Sequence, residues 1–157
     1  MLHPPRNAHG GRGDAVRRAL LALSLLAASA LADDVKRVDT QQALAACSGT
    51  VTDECVVRHF KDTLEASVIR GKIVFQNYCV LCHGKEGKGD GRAARLHTPP
   101  PSNLTLSQAP RDYVAQVVRK GGEALGRGKG MPPWGEQLTD EQIGDVLNFL
   151  MTIRVNK

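Results

Sequence analysis

Aromatic side chains are scarce in this sequence. They account for only 4% of its 157 residues, and there is a single tryptophan. Because phenylalanine, tyrosine and tryptophan each bury a large apolar area, a core built from side chains alone would be thin here. We therefore expect another apolar group to fill part of the interior. The length suffices for one domain and little more.

The sequence also lacks a hydrophobic run long enough to cross a bilayer comfortably. A membrane-spanning helix needs ~20 apolar residues. A mainly apolar run over 19–28 follows Arg12, Arg17 and Arg18, and it precedes the small residues around Ser29–Ala32. This order is typical of a cleaved secretory signal peptide, with an uncleaved N-terminal anchor as the alternative. We expect residues 1–32 to be the signal peptide, no membrane span after its cleavage, and a periplasmic mature protein.

The mature chain also lacks a strong excess of one charge. The whole sequence holds 21 basic and 16 acidic residues, but residues 1–32 contain four of the basic residues and one of the acidic ones. The remaining residues carry a net charge of only +2. This argues against nucleic-acid binding, which relies on concentrated positive charge.

The alternation of apolar and polar residues that marks a strand is absent, and apolar residues recur with a helical period instead. The pattern predicts short helices over 40–47 and 111–120, and a last helix that begins at a capping box of Thr139 and Gln142. Apolar residues from Val57 to Phe75 recur at three- and four-residue steps, which indicates one helix or two joined end to end. The predicted fold class is all-α.

One motif carries chemistry. Cys79, Cys82 and His83 form the C-x-x-C-H sequence of c-type haem attachment. On a helix these positions share a face, so both thiols and the imidazole can point at one flat ligand. A thioredoxin-like dithiol would follow a strand, and none is predicted. A zinc site completed by Cys47 and Cys55 lacks the usual close spacing of its cysteine pairs.

An electron-carrying haem iron usually needs a second axial ligand besides the histidine. Met131 is our prediction, because it lies in a downstream loop and thioether ligation opposite histidine is the cytochrome c arrangement. Met151 is a rival in the last helix, where methionine usually serves packing. His97 and His59 are the candidates for ligation by two histidines.

From about Ser67 to its end, the chain resembles class I cytochromes c, particularly the bacterial group that includes the haem-c subunits of terminal oxidases. Besides the motif, the resemblance rests on the following residues: Gly71, Phe75, Gly84, Pro101–Leu104, Met131-Pro132 and Phe149. It implies a cytochrome c fold in which the first and last helices cross, with Gly71 and Phe75 meeting Val146–Phe149. It also implies that the carbonyl of Pro100 or Pro101 accepts a hydrogen bond from His83.

The function implied is electron transfer in the periplasm on one covalent haem c, bound through Cys79 and Cys82, with His83 and Met131 as axial ligands. Such a protein is not an enzyme; a peroxidase or ligand sensor would require an open iron position. The alternative is a haem-c electron-entry subunit of a larger oxidoreductase or oxidase complex. We expect a monomer or a subunit of a respiratory complex.

Residues 33–66 precede the cytochrome c domain, which we place at 67–157, and are predicted to form an N-terminal helical extension. Cys47 and Cys55 are expected to form a disulfide that staples a helical hairpin, because export leads to an oxidising compartment. A second haem at Cys55–His59 is the less favoured alternative, since Arg58 replaces the second cysteine of the motif. The extension could otherwise serve as a partner-docking surface.

Charge is unevenly distributed along the mature chain. Residues 84–131 carry a net +5, residues 33–66 a net −3 and residues 132–157 a net −2. The haem-loop region is therefore expected to be the positive face of a dipolar molecule. Such a face would steer docking to redox partner proteins with an acidic docking face; a merely solvated basic loop is the alternative.

Overall fold

The computed structural model describes residues 36–155, so the predicted signal peptide lies outside the described residues. Within this range the secondary structure is entirely helical, as predicted. The six α-helices are α1 (Thr40–Ala46), α2 (Asp53–His59), α3 (Leu64–Tyr78), α4 (Val80–His83), α5 (Arg111–Lys120) and α6 (Asp140–Thr152). Three single 3₁₀ turns are Ala94–Leu96, Leu104–Leu106 and Glu123–Leu125. None of the helices in residues 36–155 combines the length and apolar character needed to span a membrane.

Four of the six helices, α1, α2, α3 and α6, begin at a residue whose side chain caps the first turn. The hydroxyl of Thr63 accepts a hydrogen bond from the backbone N–H of Ala66, and this cap starts α3. The capping box predicted for α6 is present: the Thr139 hydroxyl accepts from the Gln142 N–H, and the Gln142 side chain accepts from the Thr139 N–H. Because Thr63 opens a new helix, the apolar stripe from Val57 to Phe75 belongs to two helices.

Helices α3 and α6 cross at Gly71, as the resemblance implied. A Cβ at position 71 would overlap the backbone carbonyl of Asp145, and it would lie 2.9 Å from the amide nitrogen of Val146. One turn further along, the rings of Phe75 and Phe149 pack with their centroids 5.3 Å apart. The largest fully buried side chains surround this crossing: Phe75, Ile143, Val146 and Leu147. The crossing is therefore the centre of the core.

A buried polar network also joins the two helices at this crossing. Asp145 is only 4% exposed, and its carboxylate accepts hydrogen bonds from Arg70 Nε at 2.7 Å and from the Ser67 hydroxyl at 2.5 Å. Arg70 also donates to the carbonyl of Lys61. The hydrogen bond to Asp145, partly opposed by burial, raises the pKa of Arg70. Because a buried carboxylate is costly without partners, these contacts are what allows Asp145 to lie in the core.

The N-terminal extension forms the predicted hairpin. A disulfide joins Cys47, which caps the end of α1, to Cys55 in the first turn of α2, with a Cα–Cα distance of 5.9 Å. The second helix of the hairpin, α2, packs on α3. Just before the hairpin, the carbonyl of Lys36 accepts a hydrogen bond from the backbone N–H of Leu64 at the start of α3. Because both thiols are consumed by the disulfide, neither is left for a zinc site or for a second haem at Cys55.

Candidate functional site

The C-x-x-C-H motif occupies a single helical turn at the end of α3. Cys79 ends α3 and begins the short α4, and its carbonyl accepts a hydrogen bond from the His83 N–H at 2.9 Å. The chain therefore keeps the helical spacing of the three side chains, although α3 and α4 are separate elements. Both thiols are free and half-buried.

A glycine-rich loop after the motif binds the backbone of the motif itself. The N–H groups of Gly89 and Gly91 donate to the carbonyls of His83 and Cys82, at 2.8 and 3.1 Å. The N–H of Ala93 donates to the carbonyl of Leu81 in the same way. These bonds satisfy the carbonyls left open at the end of a helix. A side chain at Gly91 would overlap the Leu81 carbonyl, so glycine is required for the loop to lie this close.

His83 is held in one tautomer. Its Nδ1–H donates to the carbonyl oxygen of Ser102 at 3.1 Å. A carbonyl can only accept, so the proton is on Nδ1 and the lone pair of Nε2 is available to a metal. Burial lowers the pKa of His83, and the hydrogen bond to Ser102 opposes this only in part. The imidazole is therefore neutral at pH 7, the state in which histidine binds iron.

The resemblance was wrong about which carbonyl accepts this hydrogen bond. We expected Pro100 or Pro101, but the acceptor is Ser102, the next residue along the chain. The reason is that the carbonyl of Pro101 lies against Gly89, where it leaves no room for a Cβ. The same general arrangement, a backbone carbonyl orienting the histidine ring, is present one residue later.

The two motif cysteines have different surroundings. Burial, reinforced by the neighbouring Cys82, raises the pKa of the Cys79 thiol to about 12, so this thiol is neutral at pH 7. The sulfur of Cys82 instead lies 3.6 Å from Nε2 of His97. His97 also lies against Gly130, where a Cβ would come within 2.9 Å of its Nδ1. Through His97, the motif is thus in contact with the loop that ends at Met131.

Met131 is half-buried against the core, and paired glycines position its backbone. The N–H of Gly122 donates to the Met131 carbonyl at 2.8 Å. Three residues later Trp134 packs edge to face on Tyr78, the residue before Cys79, with ring centroids 5.4 Å apart. Two independent contacts therefore bring the Met131 loop to the attachment motif. That Met131 is the iron ligand stays a prediction.

The three alternative candidates for the second iron ligand, His59, His97 and Met151, lie in different parts of the structure. His59 is exposed at the end of α2, in the extension. His97 contacts the sulfur of Cys82, as described above. Met151 lies half-buried on α6, packed against the same core as Met131.

The donors and apolar groups around the motif suit haem c. Two free thiols are available for thioether bonds, a neutral imidazole has Nε2 open for iron, and a thioether lies on a neighbouring loop. Half-buried apolar side chains pack on the core and are available to contact a large flat apolar group: Val80, Leu104, Val114, Trp134 and Ile153. This is consistent with the thin aromatic content of the core.

Comparison with known proteins identifies the family of this chain. The family model described as cytochrome c oxidase, cbb3-type, subunit III, matches residues 66–150, more than half of the chain. No curated protein matches. Among solved structures, a chain of the reducing HAO-like protein complex of Kuenenia stuttgartiensis is 30% identical, with a TM-score of 0.46 over 54% of this chain. The match spans 41% of the length of that protein.

Proposed function

The chain belongs to the family of cytochrome c oxidase, cbb3-type, subunit III, whose c-type cytochrome domain transfers electrons through covalently bound haem c, and we propose that it carries single electrons in the periplasm. The observation that supports this most directly is the C-x-x-C-H turn with two free thiols and an oriented, neutral His83. The periplasmic location rests on the signal-like residues 1–32.

Each residue of the site has a defined role in this proposal. Cys79 and Cys82 would hold the haem covalently, and His83 would bind the iron through Nε2 while Ser102 holds its ring. Met131, on the loop held by Gly122, would supply the second iron ligand. The haem, when bound, supplies an iron that gains or loses one electron. Methionine ligation would favour a high reduction potential.

The protein is proposed to be a carrier and not an enzyme. With both His83 and Met131 bound to it, the iron would have no position open to a substrate, so electrons would pass without bond making. The groups that contact the motif agree with this role. His97 contacts the sulfur of Cys82, and Cys79 is a neutral thiol at pH 7.

The absorption spectrum of protein made with haem-maturation machinery tests the ligand assignment. We expect covalent haem, a sharp low-spin α band on reduction, and a far-red sulfur-to-iron band in the oxidised form. Met131→Ala should lose the far-red band, whereas Met151→Ala, the matched control in α6, should keep it. A far-red band that survives in Met131→Ala but not in Met151→Ala would reverse the assignment. A high-spin wild-type spectrum would indicate an open site.

The proposed redox partner has an acidic docking face. Of the nine basic residues in 84–131, Lys88 and Lys129 pair with acidic residues of the same stretch, and Arg119 pairs with Asp140. Other basic residues of this stretch have exposed side chains and no acidic partner among residues 36–155. They include Lys85, Arg92, Arg95 and Lys120. Three of these four flank the attachment motif, so positive charge is concentrated where electrons would leave.

Stopped-flow electron transfer at increasing ionic strength tests this docking proposal. The rate constant for transfer to an acidic partner should fall steeply with salt, because screening shortens the reach of the charges. Arg92→Gln with Arg95→Gln should reduce the salt dependence, while the distant Arg58→Gln should not. A rate independent of salt would contradict the proposal.

A second candidate function is an electron-entry subunit of a larger oxidase or oxidoreductase. This candidate is raised by the matching family model, which describes an oxidase subunit. Copurification from the native host distinguishes the two: a carrier elutes as a free haem protein, and a subunit elutes with its complex at fixed stoichiometry.

A further inference from the structure

A groove of about 540 Å³ lies between α2 and α3, and none of the residues of the haem-attachment motif lines it. Its α3 wall includes Ile69 and Ile73, which lie one turn apart on the same side of the helix. Gly71 and Phe75, which meet α6, point to the opposite side of α3. The groove therefore opens on the side of α3 that the core leaves uncovered.

The extension creates this groove. Its second wall is α2, which the Cys47–Cys55 disulfide ties to α1, and this hairpin precedes the residues matched by the family model. Val57 contributes an apolar side chain from α2. Ile73 is 52% exposed, and Val51, just before the Thr52 cap of α2, is 44% exposed. A stapled wall that leaves apolar side chains uncovered is typical of a surface that binds another protein.

The charges at the rim of the groove are balanced. Asp53 and Glu54 lie on the α2 wall, while Arg58 and Lys72 supply two positive charges. Glu54 and Arg58 pair with each other across one turn of α2. Asp53 and Lys72 have no ion-pair partner among residues 36–155. The rim thus presents one unpaired acid and one unpaired base on opposite walls.

A surface of this kind is complementary to itself. In a twofold dimer the same patch meets its own copy, so each charge must find its opposite within that patch. We propose that two copies of this chain associate through the α2–α3 groove. Ile73 of each copy packs into the groove of the other, and Lys72 of each copy pairs with Asp53 of the other. This proposal replaces the monomer expected from the sequence with a dimer, and it does not depend on the haem ligands.

The dimer is expected to be weak, because its apolar contact is small. Interfaces of roughly 1,000 Å² are at the lower limit for specific association. A dissociation constant on the order of 10 µM corresponds to such a contact. The basic region around the attachment motif stays free in this dimer, so each copy can still meet a redox partner.

Sedimentation equilibrium of the haem-loaded protein tests the proposal over about 1–300 µM, a range that brackets such a constant. The weight-average mass of the wild type should rise towards twice the monomer mass. Ile73→Glu should remain monomeric throughout, because a charge would be buried in each groove. Val155→Glu is the matched control: Val155 is 65% exposed and lies at the C-terminal end of the described chain, so its dimer should be unchanged.

A charge exchange tests the predicted pairing. Lys72→Glu and Asp53→Lys should each weaken the homodimer by about ten-fold, because each substitution removes both symmetry-related Lys72–Asp53 ion pairs. An equimolar mixture of the two variants should recover association, because opposite charges then face each other at both pairs. Lys120→Glu, an exposed charge change on α5, should leave the affinity unaltered. A wild type that stays monomeric at every concentration would overturn the proposal, as would a dimer insensitive to Ile73→Glu or a mixture that fails to recover. The haem spectrum of each variant reports separately on the proposed electron-carrier function.

Discussion

Gly71 and Asp145 lie so close that a side chain at position 71 would overlap the carbonyl of Asp145. This contact sets the distance between α3 and α6, and the aromatic pair Phe75–Phe149 packs one turn away at that distance. Since Phe75 is four residues before Cys79, the crossing also determines where the attachment motif lies relative to the core. The stability of the site therefore depends on a glycine that makes no contact with the haem-attachment residues.

Gly71→Ala should destabilise the protein by about 3 kcal/mol, because the added methyl group meets backbone atoms that cannot rotate away. For a domain of this size we expect the thermal midpoint to fall by roughly 10 °C. Gly144→Ala is the matched control. A Cβ at position 144 meets nothing within 4 Å, so alanine in the middle of α6 should stabilise by about 0.5–1 kcal/mol. Equal destabilisation by both substitutions would contradict the close crossing.

The buried carboxylate of Asp145 should contribute measurably to stability. Asp145→Asn leaves Arg70 facing a neutral amide, and we expect a loss of about 2 kcal/mol in the free energy of unfolding after allowing for the partial exposure of Arg70. Asp140→Asn removes a comparable pair, Arg119–Asp140, whose side chains are 43% and 89% exposed. That loss should not exceed about 0.5 kcal/mol. Urea titrations followed by circular dichroism measure the free energy of unfolding of both variants and of the wild type.

The disulfide and the haem attachment should respond differently to reductant. Dithiothreitol is expected to open Cys47–Cys55 and to leave the haem thioethers intact. Hydrogen exchange in α1 and α2 should then increase, while the haem spectrum stays unchanged. In the chain-entropy model a loop of this length contributes about 2–3 kcal/mol. The double variant Cys47→Ser with Cys55→Ser should reproduce this behaviour without reductant. Haem loss on reduction would show that the hairpin supports the site.

Stability should decline on acidification through the titration of His83. Burial lowers its pKa below the ordinary value of 6.5, so the unfolded chain binds this proton more readily than the folded chain does. The contribution of His83 is therefore fully present above pH 6.5 and is lost as the pH falls through the lowered folded pKa. The proposed binding of iron at Nε2 would act in the same direction. Thermal midpoints measured from pH 8 to pH 4 should fall below pH 6.5, and His59→Gln, at an exposed position, should follow the same curve.

Local sequence signals accounted for much of the secondary structure. The Thr139–Gln142 capping box and the helix that ends at Gly121 were both correctly predicted, because caps and glycines act within one turn of the chain. The all-α fold class followed from the helical period at which apolar residues recur along the chain. The apolar stripe from Val57 to Phe75 was compatible with one helix or with two. The structure shows two, because Thr63 caps the start of a new helix.

Long-range polar contacts were not predicted. Asp145 and Arg70 lie 75 residues apart and join in the core, and an acidic residue in a helix is ordinarily read as solvent-exposed. The acceptor of His83 was misplaced by one residue, since three consecutive prolines leave the register open and only the contact of Pro101 with Gly89 settles it. The amino-acid composition nevertheless gave one indication of the site. The shortage of aromatic residues predicted that another apolar group fills part of the core.

The sequence by itself determined the chemistry of this protein: the C-x-x-C-H spacing that places two thiols and an imidazole on one turn, and the helical pattern of the chain around it. Only the tertiary structure decided which distant groups complete that turn. It assigned Ser102 to His83, brought the Met131 loop and His97 to the motif, and opened a groove between α2 and α3. The physical reason is range. Helix spacing and capping act within a few residues, whereas the partners of a buried polar group depend on how whole helices pack.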